Sequence, residues 1–288
     1  MITRHRLAQD AAYAALCTRR EADIPLSDPL CAFDLADKRG IEVRIVEVPS
    51  LEAMYVKQTP PLILVSSLRW AGRRSYNCAH EIGHDYFGHG TRVDEEYLGE
   101  RHERKAFNAE EFLADCFAGY LLMPKVTVCH GFAKRGWSPA TCTEEHVFVV
   151  AGWLGVGYTT LIHHMHLALN LIGETHASKL LKTTRKDLRK AICGDLDCSD
   201  LVIVDPQWHG RPVDIEVGDV ILAPHGAEVE GVQAEVVCET TRGRLLRGRT
   251  PGIGRVTCQD GFAVFVRVAR KGFTGRSVFR HMEESGDE

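Results

Sequence analysis

Cys78-Ala79-His80-Glu81-Ile82-Gly83-His84 is the stretch on which the reading of this chain turns. On a helix, residues i and i+4 share one face, so the His80 and His84 imidazoles can reach one metal ion. Glu81, offset by one position, is placed as a general base toward water rather than as a ligand. Imidazole and carboxylate donors in a four-coordinate site suit zinc, which makes Zn2+ the expected cofactor. The small residues Ala79 and Gly83 leave room for a close neighbour.

A catalytic zinc site takes three protein ligands and keeps one position open. The extended pattern His-Glu-x-x-His-x-x-Gly-x-x-His does not supply the third. Phe87 stands where its glycine belongs and Gly90 where its last histidine belongs. His89 comes one residue early and reads as a helix end or a loop. The other source is a carboxylate from the next helical pattern, 104–123, where Glu110, Glu111 and Asp115 all qualify.

The surroundings of the motif are mixed α and β. Helical patterns cover 4–20 and 29–38, the latter with Asp28 placed to cap it and Pro29 at its first position. Residues 41–46, 51–55 and 61–66 read as strands. Pro60-Pro61 suits a strand entrance or edge, and 61–67 reads as an edge strand that an extended peptide could join. The motif helix runs from about 73 through 84, with Gly88 and Gly90 marking its end. Residues 143–154 and 158–171 form two helical patterns around Gly155-Val156-Gly157, and 178–192 reads as one basic amphipathic helix. From Cys198 onward, short β-type runs at 201–204, 219–222, 234–238, 255–258 and 262–268 are separated by Gly, Pro and Asp. That is the pattern of a small all-β domain.

At 288 residues the chain has room for about two domains. Its 44% hydrophobic and 26% charged content excludes a disordered chain. No uninterrupted apolar run is long enough for a bilayer, so no membrane partner is expected. The N-terminus has no apolar signal core, and ten scattered cysteines without a Cys-x-x-Cys pair read as reduced thiols. Cytoplasmic localisation is the expectation. Cys116, Cys129 and Cys142 are near enough in sequence for one thiolate to cap the zinc in a silent state.

The net charge of -4 hides an asymmetry. Ten Lys and Arg lie between 242 and 280, against the single acid Asp260. Arg242, Arg244, Arg247, Arg249, Arg255, Arg267, Arg270 and Lys271 interleave there with Phe262, Phe265, Phe273 and Phe279. Such a stretch could track phosphates and stack bases, which makes single-stranded DNA the expected effector.

Two motifs carry a resemblance. Arg74 followed by Ala79-His80-Glu81-Ile82-Gly83-His84 is similar to the motif helix of the ImmA/IrrE metallopeptidases. Glu111-Phe112-Leu113-Ala114-Asp115-Cys116-Phe117-Ala118-Gly119-Tyr120-Leu121-Leu122-Met123-Pro124 resembles that family's second signature. Asp115 replaces its usual Asn and Gly119 a usual Ala. The resemblance covers about 10–170 and implies a zincin-like fold with Glu111 as third zinc ligand. It also implies a substrate, a helix-turn-helix transcriptional repressor whose cleavage induces a DNA-damage, mobile-element or defence response.

The expected architecture is therefore α+β: a zincin-like metallopeptidase domain over 1–172, with a helix-turn-helix-like segment at 143–171. A basic linker helix at 173–197 and an all-β regulatory domain at 198–288 follow. The expected activity is zinc-dependent endoproteolysis of a repressor. The alternatives are a non-catalytic DNA-binding regulator with a structural zinc and a hydrolase of a small substrate. DNA reading by 158–171 would want Arg, Lys, Asn or Gln, whereas this segment offers His163, His164 and His166.

Overall fold

A computed structural model describes residues 3–95 and 107–282. Contacts group them into two compact units, and the grouping differs from a division at 173–197. The first unit comprises 1–130, 154–157 and 274–278; the second takes 131–153, 158–273 and 279–288. The helices at 144–193 therefore belong with the C-terminal strands, so that unit is not all-β. Composition changes at Cys198, but packing does not.

In the first unit, helix α1 (Arg4–Glu21) is capped by Thr3, whose hydroxyl accepts from the Arg6 amide. Its buried Leu7, Ala11, Ala14, Ala15 and Thr18 fall at helical spacing. This stripe packs on α4 (Ala109–Leu122). Helix α2 is Ala32–Lys38, three residues later than expected. Asp28 does not cap it. The Asp28 carbonyl instead accepts from Arg19 at 2.9 Å. Arg19 is fully buried and also donates to the Leu121 carbonyl at 2.7 Å, one of the acceptors that the end of α4 leaves open.

Five strands form one sheet: β1 (Glu42–Val46), β2 (Leu51–Val56), β3 (Leu62–Ser66), β4 (Arg92–Glu95) and β13 (Gly275–Arg276). Their order is β13-β1-β3-β2-β4. β1 and β3 run parallel, with Arg44 opposite Leu64, and the remaining pairs are antiparallel. The expected edge strand at 61–67 is thus corrected: β3 lies in the middle, bonded on both sides. Its Leu-Ile-Leu-Val run suits a central strand, with Ile63 and Val65 fully buried and Leu62 and Leu64 half-buried. Pro60 and Pro61 precede the ladder, where no donor is needed. β4, not anticipated from sequence, is the edge.

Helix α3 (Ala71–Tyr86) carries the motif and packs on β2, β3 and α4. Every residue from Asn77 to His84 is buried. Gly83 permits the approach of α4, because a Cβ there would stand 3.0 Å from the Phe117 ring and 3.2 Å from the Ala114 Cα. The helix expected over 104–123 is observed from Ala109, and 104–106 lie outside the described residues. Its apolar continuation through α5 (Lys125–Ala133) is long enough to cross a bilayer, but Ala114, Phe117, Ala118, Leu121 and Leu122 are fully buried core.

In the second unit, α6 (Glu144–Leu154) and the helical segment of α7 (Tyr158–His163) plus a π-helical turn (His164–Ala168) meet at 103°. The single helix expected at 178–192 is two: α8 (Glu174–Leu180) and α9 (Arg185–Cys193). Thr184 and Asp187 close a reciprocal capping box that starts a new helix. Two four-stranded sheets follow. One joins β5 (Leu201–Ile203), β7 (Val220–Ala223), β10 (Gly243–Gly248) and β9 (Ala234–Thr240) in that order. The other joins β6 (Pro212–Glu216), β12 (Ala263–Ala269), β11 (Gly252–Thr257) and β8 (Glu228–Glu230).

Candidate metal centre

Helix α3 turns His80 and His84 to the same side, with their Nε2 atoms 3.0 Å apart. Helix α4 brings the third donor. Asn108 caps it, its side-chain oxygen accepting from the Glu110 and Glu111 amides. Glu111 therefore sits in the first turn, where the helix dipole favours a negative charge. Its Oε2 lies 3.3 Å from His80 Nε2 and 3.6 Å from His84 Nε2. The three donor atoms fall within 4.8 Å of one another, and they form the one such group among the described residues.

This arrangement separates the three carboxylates that the sequence left open. Glu111 faces both metal-directed nitrogens. Asp115, one turn on, takes the opposite nitrogen of His80, with 3.0 Å between its Oδ1 and Nδ1. Glu110 does not join the donor group. Asp115 is thus placed to orient His80 rather than to join the donor group, the relation that fixes tautomer and ring plane in histidine metal sites. Tyr76, one turn before His80, donates its hydroxyl to the Asp115 carbonyl at 3.1 Å and ties α3 to α4 above the site.

The electrostatics ask for a cation between these donors. Burial alone would lower the His80 pKa, but hydrogen bonds to Asp115 and Glu111 outweigh it and push it up to about 10. Hydrogen bonds from His80 and His84 hold Glu111 well below the usual carboxylate range. A proton stabilised at this point marks where a metal ion would be stabilised in its place. Two imidazoles and a carboxylate, converging from two packed helices, fit a divalent transition metal. Glu81 is fully buried beside them.

His89 is not a bystander in a loop. It is 8% exposed, and its Nδ1 lies 2.8 Å from His84 Nδ1. Sequence spacing missed this because the contact is made by the helix cap and not by helical periodicity.

The remaining expectations fall elsewhere. No disulfide joins any of the ten cysteines, and none of them enters the donor group. Cys116 follows Asp115 on α4, and burial pushes its thiol up to about 11. Cys142 belongs to the second unit, also raised to about 11 by burial. His166 donates from Nδ1 to the Ile172 carbonyl at 3.1 Å, a structural bond within its own turn.

Most of the basic residues from 242 onward are answered by acids of their own unit. Arg242 pairs with Glu145, Arg244 with Glu239 at 2.6 Å, Arg249 with Glu235 at 3.3 Å and Arg255 with Glu230 at 3.5 Å. Arg267 forks onto Asp214, its Nη2 at 2.7 Å. Arg247 donates to the Asp197 carbonyl, and Lys271 to the Ser199 hydroxyl. Arg270 follows the end of β12. Of the four phenylalanines, Phe265 alone is exposed, at 53%, while Phe262 is core. A run of arginines in sequence is thus a set of cross-strand and inter-element ion pairs in space.

A search of curated proteins found none that matches the chain. Residues 36–141 match the family model described as the IrrE N-terminal-like domain, Peptidase_M78. The matched segment holds β1 to β4, the motif helix, and all three converging donors. With that match and those donors brought together, the segment 36–141 is similar to the IrrE N-terminal-like domain, a metallopeptidase-type domain.

Proposed function

We propose that this chain is a zinc-dependent endopeptidase that cleaves a helix-turn-helix transcriptional repressor, with the C-terminal sheets as its regulatory part. The observation that carries the reading is the convergence of His80 Nε2, His84 Nε2 and Glu111 Oε2 beside a buried Glu81. When bound, the ion supplies Lewis acidity toward a peptide carbonyl and toward water. Glu81 would accept a proton from the water as it adds to the carbonyl and return it to the amine released as the C–N bond breaks. Asp115 and His89 keep the two imidazoles in the tautomer that presents Nε2 to the site. Among the described residues β4 has β2 as its one sheet neighbour, so its outer side can take an extended substrate segment as an added strand.

The alternative, a structural zinc in a DNA-binding regulator, fits the donor count less well. Structural sites close with four protein ligands, and the described residues supply three. The test is incubation of the zinc-loaded chain with a small helix-turn-helix repressor encoded beside it, with cleavage read by mass spectrometry. Glu81→Gln should keep the zinc and lose the cut. A cut at the parent rate in that variant would remove Glu81 from the chemistry, and no cut by the parent of any such repressor would remove the substrate class.

A further inference from the structure

We infer that His89 is a positioning residue for the metal centre, delivered to His84 by the C-terminal cap of the motif helix. The inference rests on reading His80, His84 and Glu111 as a metal site. Helix α3 ends at Tyr86, and Gly88 turns the chain with φ +69°, the left-handed conformation that glycine adopts without strain. Two bonds close the cap: the Gly88 amide donates to the Asp85 carbonyl, and the His89 amide donates to the His84 carbonyl, both at 3.0 Å. This is the Schellman pattern, in which the residue after the left-handed glycine returns over the last helical turn. That residue commonly brings an apolar contact. Here it brings an imidazole onto the imidazole of His84.

The geometry fixes the roles. His84 turns Nε2 toward His80 and Glu111, at 3.0 and 3.6 Å, and Nδ1 toward His89, at 2.8 Å. With Nε2 directed to a metal, the ring proton resides on Nδ1. His84 then donates, and His89 accepts through an unprotonated Nδ1. The two rings stand 5.0 Å apart at 63°, and Phe87 stacks on the far ring at 5.8 Å and 22°. Both histidines are nearly excluded from solvent, so water does not compete for the bond. The centre therefore has two unlike supports: Asp115, an exposed carboxylate, behind His80, and His89, a buried imidazole, behind His84. An imidazole support orients its ligand without placing a second carboxylate beside buried Glu81.

The experiment uses the full chain and zinc ion alone, with affinity measured by competition against a chelating dye. His89→Phe keeps a stacking ring and removes the acceptor. His89→Asn places an acceptor oxygen where Nδ1 stood. Loss of a support of this kind weakens metal binding by about 10- to 100-fold. The expected result is a loss of that size in His89→Phe and recovery to within about threefold in His89→Asn, with metal-free thermal unfolding read alongside. Parent-like affinity in His89→Phe, or equal loss in both variants, would overturn the role. A second measurement needs no variant. In zinc-loaded parent chain labelled with 15N-histidine, the His84 Nδ1 proton should show scalar coupling to a second ring nitrogen. A His84 Nδ1 proton that exchanges as fast as an exposed imidazole would overturn the inference by itself. If the parent binds no zinc, the metal reading falls first, which is a different result from a parent that binds and a His89→Phe variant that binds equally well.

Discussion

Asp115 holds His80 at Nδ1 from 3.0 Å, while Glu111, four residues earlier on the same helix, reaches Nε2 of the same ring from 3.3 Å. Helix α4 thus addresses one imidazole from both of its nitrogens. Removing the Asp115 carboxylate frees the ring to rotate. Asp115→Ala should weaken zinc affinity by about 10- to 100-fold, and Asp115→Asn, which keeps an acceptor oxygen, should lose less. Zinc titration of the three proteins orders them. Equal affinity in all three would show that α4 does not set the ring.

The contact at Gly83 sets how near α4 can come. A methyl group there meets Phe117 at 3.0 Å and Ala114 at 3.2 Å, so Gly83→Ala must move α4 outward by a few tenths of an ångström. The gain in helix propensity, about 1 kcal/mol, is opposed by an overpacking cost of about 1–3 kcal/mol. Thermal stability should change little or fall, whereas zinc affinity should fall clearly because Glu111 recedes from both imidazoles. Glu111→Ala is the limiting case, and most of its zinc should be lost on dialysis. Full zinc occupancy in Glu111→Ala, measured by elemental analysis, would remove Glu111 from the ligand set.

In the second unit, burial pushes the Asp219 carboxyl up to about 7. The neighbouring charges of Asp200 and Glu216 act in the same direction, against Arg185 and the bond from the Glu216 amide. The unfolded chain would titrate this group near 3.8, so the folded form prefers it neutral. That preference adds stability below about pH 4, which is lost as pH rises through about 7. Thermal unfolding of the parent should therefore lose ground over this window relative to Asp219→Asn, whose amide is neutral throughout. A constant difference between the two from pH 4 to 8 would contradict the shift.

Because Arg242, Arg244, Arg249, Arg255 and Arg267 already have carboxylate partners, a phosphate must displace an acid before it gains a cation. Single-stranded oligonucleotide binding in 150 mM salt should be no tighter than the non-specific range of about 10⁻⁴–10⁻⁶ M. Converting Glu230, Glu235 and Glu239 to Gln should tighten it and steepen its salt dependence. Sub-micromolar binding by the parent at that salt would contradict this expectation and support nucleic acid as an effector of this surface.

The metal centre was the most legible part of the sequence, because its chemistry is written at a spacing that a helix enforces. His80 and His84 need only α3. Glu111 needed a second helix, and periodicity alone could not choose it over Glu110 or Asp115. His89 was illegible by spacing, since a left-handed glycine breaks the period just before it. The strands with clean apolar runs, such as β2, β3 and β12, were plain. β10 was not, because Gly243-Arg-Leu-Leu-Arg-Gly248 reads as charge before it reads as strand. The ion pairs of the basic stretch were hidden for a related reason: a one-dimensional count cannot see acids that arrive from β8, β9 and α6.

The sheet behind the motif helix is completed out of order. β1 gains its outer neighbour only from Gly275–Arg276, with Arg44 opposite Arg276 and Ile45 opposite Gly275. During synthesis β1, β2, β3, the motif helix α3, β4 and then α4 leave the ribosome early. The strand that covers the β1 edge emerges only after residues 158–273 of the second unit. A chain interrupted anywhere in 198–270 would carry all three metal donors on a sheet whose β1 edge lacks its described partner, a template for pairing with other chains. The C-terminal region is thereby tied to the sheet that backs the candidate metal centre, through the β1–β13 ladder and the Arg276–Glu42 ion pair.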